Sequence, residues 1–173
     1  TTTFMAFGDS ITCCEIATPA STVFVTDRSR SYPTVLEGLL KAAYPSQASG
    51  IVVDNEGSPG QHVVPDEERL GDALAAKLPD TLLLMEGTND INDQKLTPEE
   101  IVQSLRADVL RASSRGVKTV FWATVMPEVA GRPGAANPDG VAPVNDLIRA
   151  QAAGAGAILV DAWAAVAPKA ELL

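Results

Sequence analysis

Phe4-Met5-Ala6-Phe7-Gly8-Asp9-Ser10-Ile11-Thr12 is the stretch from which the rest of the chain is read. Four apolar residues in succession run into Gly-Asp-Ser. An apolar run without alternation suits a strand covered on both faces of a parallel sheet. Such a strand delivers the residues after it to the carboxyl edge of the sheet, where open α/β folds bind ligands. Ser10 is thereby expected as a hydroxyl at that edge.

Working outward, runs of the same kind recur at residues 51–55, 81–86, 118–124 and 157–161, beside the first at 3–7. Between them lie segments with helical spacing. Val35, Leu36, Leu39, Leu40 and Ala43 form one apolar face, and Leu70, Ala73, Leu74 and Leu78 the next. Thr97-Pro98-Glu99-Glu100 reads as a capping box with proline at the first helical position; Ile101, Leu105 and Val109 follow as a stripe. Gly116 closes that helix, and Val144, Leu147 and Ile148 mark a fourth. Repeated strand–helix alternation predicts a three-layer α/β domain with a parallel sheet. Two long loops, 13–31 and 126–139, follow strands and are expected at the same edge.

At 173 residues the chain is expected to form one domain over residues 1–173, and 46% apolar content argues against disorder. A net charge of −9 disfavours nucleic acid and anionic membrane surfaces as partners. No apolar run approaches a membrane span. Cys13 and Cys14 are neighbours, too close for the usual disulfide separation of ~5.5 Å, and are expected as free thiols that indicate no compartment. His62 is the one histidine, so His/Cys metal spacing is missing. Asn89, Asp90, Asn92 and Asp93 resemble calcium ligands without meeting the EF-hand pattern, so neither metal nor cofactor is expected.

Three loops carry the chemistry. Gly8-Asp9-Ser10 follows the first strand, Asn55-Glu56-Gly57-Ser58-Pro59-Gly60 the second, and Gly87-Thr88-Asn89-Asp90 the third. Singly, each is an ordinary turn or cap. Jointly, at the ends of successive strands, they suit acyl transfer. In a 2-1-3-4-5 strand order the switch point lies between the first and third strands, so Ser10 and Asn89 face each other across it. Ser10 is the candidate nucleophile. The backbone N–H groups of Ser10 and Gly60 and the Asn89 amide are candidate oxyanion donors, each worth ~2.7–4 kcal/mol of barrier. Asp9 is expected to shape the turn through loop N–H groups. Trp122 and Trp163 are expected as core or helix–sheet packing rather than substrate platforms, and Tyr32 as core, with the crevice wall as its alternative.

At these residues the chain resembles the SGNH (GDSL-type) hydrolase family, from residue 4 to about residue 161. Gly8 to Thr12 looks like its first block, Asn55 to Gly60 its second and Gly87 to Asp90 its third. The resemblance implies a flavodoxin-like αβα sandwich with a five-stranded parallel sheet in the order 2-1-3-4-5. It also implies cofactor-independent ester hydrolysis, with Ser10 as nucleophile and Gly60 and Asn89 in the oxyanion hole. The second and third blocks are similar to those of members acting on acetylated carbohydrates, such as acetyl xylan esterases. A small ester or acetylated carbohydrate is therefore the expected substrate.

Serine needs a general base. The family draws it from an Asp-x-x-His block after the fifth strand, and the residues after Asp161 contain none. Three expectations stand side by side. The chain is part of a longer esterase whose Asp and His lie past Leu173; or His62, two residues past Gly60, is the base; or the domain is catalytically incomplete and binds carbohydrate or acylated ligands without turnover. Asp161 is read as a helix cap rather than the missing acid.

Overall fold

The computed structural model describes residues 3–17, 24–64, 67–132 and 134–169. Strand β1 (Thr3–Gly8) is followed by a hairpin of two short strands, β2 (Glu15–Ala17) and β3 (Phe24–Thr26). Then come β4 (Val52–Gly57), β5 (Thr81–Met85), β6 (Thr119–Ala123) and β7 (Ile158–Val160). Five of these form a parallel sheet in the order β4-β1-β5-β6-β7, which is the expected 2-1-3-4-5 arrangement. The helices are α1 (Ser10–Cys13), α2 (Tyr32–Ala43), α3 (Glu67–Lys77), α4 (Thr88–Asp93), α5 (Pro98–Ser114), α6 (Val141–Gln151) and α7 (Ala162–Val166).

The register brings the strand ends that matter abreast. Gly8 pairs with Gly57 on one side and Met85 on the other. All three chemical blocks therefore leave the sheet at one level. Side chains cannot be accommodated at this crossing: a Cβ on Gly8 would collide with Met85 O and Thr12 Oγ1, and one on Gly57 with the Cys13 backbone. Backbone packs on backbone here, which only glycine permits.

One face of the sheet is densely filled. Met5, Phe7, Leu82, Leu84, Val120 and Trp122 alternate with period two onto that face and are all buried. They pack with Leu70 and Leu74 of α3, Leu105 and Val109 of α5, and Val144 and Ile148 of α6. Each fully buried aliphatic side chain contributes about 1.5–3 kcal/mol. The capping box forms as read: Thr97 Oγ1 accepts from Glu100 N at 3.2 Å, and Thr97 N donates to Glu100 Oε2 at 2.8 Å.

The other face differs from expectation. Phe4, Leu83 and Phe121 are only half-buried, and with Tyr32, Leu36 and Leu40 they line an apolar groove of about 890 Å³. Val35 and Leu39, read as part of the buried face of α2, are 52% and 63% exposed. Their spacing is helical, but no partner element meets them among the described residues. Leu78, assigned to the face of α3, is 75% exposed because the chain turns left-handed there (φ 47°) and leaves the helix. Trp122 is core as expected; Trp163 is not, lying 36% exposed with the Arg149 guanidinium 5.8 Å from its ring. Tyr32 is half-buried on the groove, not in the core, and burial pushes its hydroxyl up to about 12 against a bond with Thr12. The loop expected at 13–31 holds the β2–β3 hairpin, whose three-residue strands are too short to show alternation. Both cysteines are free. No described helix is long and apolar enough to cross a membrane.

Candidate active site

Ser10 is the first residue of α1, where the backbone N–H groups have no acceptor within the helix. Asp9 caps that helix: its Oδ1 accepts from Ile11 N at 2.9 Å, the turn-shaping role read from sequence. The Asp9 side chain is buried, and burial pushes its carboxyl up from 3.8 to about 6, against bonds from Ile11 N–H and the Thr88 side chain. Asp90 nearby adds to the rise, and its own carboxyl is also raised by burial.

The second block is built around Asn55. Its amide donates to Thr12 O and to Ser31 Oγ, both at 3.0 Å, while its Oδ1 accepts from Gly57 N at 3.0 Å. One side chain thereby ties β4 to α1 and to the start of α2. Ser58 N then donates to Gly8 O at 3.0 Å, which holds the loop against the nucleophile turn. Gly60 follows with φ +73°, a left-handed position that glycine adopts without strain.

The third block staples this loop in place. Gly87, at φ +120°, turns the chain into α4. From α4, Asn89 Nδ2 donates to Gln61 O at 2.6 Å, Asp90 Oδ2 accepts from Val63 N at 3.0 Å, and Asp93 Oδ2 lies 3.0 Å from His62 Nε2. Asn92 grips the other long loop, accepting from Ala136 N and Asn137 N and donating to Glu128 Oε1 and Gly134 O. The four residues that resembled calcium ligands thus make loop-anchoring bonds.

Ser10, Gly60, Thr88 and Asn89 line one crevice of about 680 Å³, with Ile11, Phe24 and Met126 among its apolar walls. The three candidate residues are brought together. His62 is not among the residues lining that crevice, and its ring nitrogen faces Asp93. Asp161 caps α7, accepting from Ala164 N at 3.0 Å, and forms a two-point pair with Arg149 at 2.8 and 3.1 Å. That pair holds its carboxyl down to about 2.

Sequence reasoning missed two arginines. Arg28 donates to Asn55 O at 2.7 Å and Gly57 O at 3.2 Å. Arg69 donates to Glu56 O at 2.7 Å and Gly8 O at 3.1 Å. Both bond backbone carbonyls far away in sequence, and no local pattern marks such contacts.

The description of the GDSL-like lipase/acylhydrolase family matches residues 6–173. No curated protein sequence matches. Among solved structures, the lipase/acylhydrolase from Enterococcus faecalis aligns with TM-score 0.76 at 20% identity, over 99% of this chain and 82% of that one. Axe2, an acetylxylan esterase from Geobacillus stearothermophilus, aligns with TM-score 0.75 at 24% identity, over 99% and 81%. A mutant of Axe2, described as an acetyl-xylooligosaccharide esterase, aligns at 26% identity with TM-score 0.71, over 99% and 81%.

Proposed function

The chain belongs to the GDSL-like lipase/acylhydrolase family, and from that premise we propose that this ester hydrolase works through a covalent acyl-enzyme formed on Ser10. The carrying observation is that Ser10, Gly60 and Asn89 line one crevice although they come from three different loops. In this reading Ser10 Oγ attacks the ester carbonyl, and the carbonyl oxygen takes up the negative charge. The N–H groups of Ser10 and Gly60 and the Asn89 amide stabilise it, from positions held before the reaction begins. The bond from Asn89 to Gln61 O favours this role, because it fixes the amide beside the Gly60 loop.

His62 faces Asp93, so the proposal assigns the general base to none of the described residues. The substrate we propose is a small ester, with acetyl esters of carbohydrates first. The Glu56–Gly60 and Gly87–Asp90 blocks and the likeness to the Axe2 mutant support that choice.

Hydrolysis of p-nitrophenyl acetate by the full-length gene product and its Ser10→Ala variant tests the reading. The variant is expected to lose about 10³-fold or more in kcat. Equal rates would overturn it and leave the crevice as a binding site.

A further inference from the structure

The donors proposed above sit on separate loops, so their spacing depends on whatever fixes the ends of β1, β4 and β5 relative to one another. One side chain reaches all three. Arg69, on α3, donates from Nη2 to Gly8 O at 3.1 Å and from Nη1 to Glu56 O at 2.7 Å. Gly8 immediately precedes Asp9-Ser10, and Glu56 is the penultimate residue of β4. The same Nη2 lies 3.9 Å from Glu86 Oε1, and Glu86 is the residue before Gly87. The guanidinium stacks over the Phe7 ring, 3.8 Å from its centroid.

Each contact has a physical reason. A carbonyl oxygen accepts two donors, and where the strands diverge Gly8 O takes Ser58 N and the Arg69 guanidinium together. The Glu86 side chain is fully buried, and a buried carboxylate requires cationic or hydrogen-bonding partners. A guanidinium serves both needs because its donors point along fixed directions in one plane. An ammonium offers a point charge on a flexible stem and does not hold two carbonyls at a set separation.

We propose that Arg69 is a positioning residue that holds the nucleophile turn, the Gly60 loop and the Asn89 loop at their working spacing. This role rests on the acyl-transfer reading. Arg69 touches no reacting atom. It acts through Gly8, Glu56 and Glu86, one for each loop. Oxyanion donors work at about 2.7–3.1 Å from the developing charge, and a misplacement of about 1 Å costs roughly 10²-fold in rate.

The test compares Arg69→Lys, Arg69→Ala and Ser10→Ala in the full-length protein. For Arg69→Lys, kcat on p-nitrophenyl acetate is expected to fall about 10- to 100-fold with KM within about twofold. Added guanidine is expected to restore part of the loss in Arg69→Ala. In amide NMR spectra of Arg69→Lys, the peaks of Ser10 N–H, Gly60 N–H and the Asn89 side chain are expected to shift together, with that of Val120 unmoved. If Arg69→Ala does not fold, Glu86→Gln loosens the same clamp and is read in the same way. A kcat within about twofold of wild type in Arg69→Lys, with a lowered melting temperature, overturns the proposal in favour of simple structural support. Unmoved Ser10, Gly60 and Asn89 peaks also overturn it. Should Ser10→Ala turn over as fast as wild type, the esterase reading fails on its own, and the NMR comparison alone decides whether Arg69 sets the geometry.

Discussion

Asp9 shows how closely stability and the site are joined at a single residue. Its carboxyl titrates at about 6 in the fold against an ordinary 3.8. Below about pH 4 both folded and unfolded chains hold the proton, and Asp9 has no effect on the balance. Between about pH 4 and 6 the unfolded chain has released it while the folded chain retains it, so stability falls as pH rises, by up to about 3 kcal/mol. Above about pH 6 that cost is constant. Asp9→Asn keeps an acceptor for Ile11 N–H and removes the charge. It is expected to be more stable than wild type near pH 8 and to lose this part of the pH slope, as read from urea midpoints at about pH 4, 6 and 8. Asp9 as a cap and Ser10 as a candidate were legible because both sit within one short turn. Arg69 was not, since its partners Gly8 and Glu56 are reached only through the fold.

Among the elements, the most exacting joint is between α6 and the end of β6. Buried Asn145 donates to Val125 O at 2.9 Å and accepts from Val125 N at 2.7 Å. It replaces a missing strand partner on both backbone groups of one residue, just before the loop that walls the crevice. Asn145→Leu leaves a buried N–H and a buried C=O unmet, at a cost of about 2–5 kcal/mol. Chemical denaturation is expected to show that loss, with Asn145→Asp also destabilised because it lacks the donor. The long helices were readable from their caps and stripes, as α5 shows. The β2–β3 hairpin and α4 were not, because three to six residues carry too little periodicity.

At the scale of the molecule, the layering followed from the alternation of apolar runs with segments of helical spacing, and the strand order from the resemblance to the SGNH family. The uneven filling of the two sheet faces did not. Spacing marks a helix face as apolar, but it does not say whether anything covers it, and Val35 and Leu39 stand uncovered. The groove over Phe4, Leu83 and Phe121 is expected to bind the dye anilinonaphthalene sulfonate in the native state of this chain. Phe121→Glu should reduce that fluorescence with little change in far-ultraviolet circular dichroism.

The position of β1 between β4 and β5 has a consequence for synthesis on the ribosome. Of the five strands of the sheet β1 is made before the others, yet it is a central strand, and both of its neighbours are encoded later, the second ending at Met85. At about 5–20 residues per second, the stretch from Thr3 to Met85 takes on the order of 4–16 s to appear. Until β4 has been made, Phe4-Met5-Ala6-Phe7 has neither neighbour to pair with, and until β5 has been made it has only one. Ser10 follows β1 and Asn89 follows β5, so folding of the candidate site must wait until β5 has emerged.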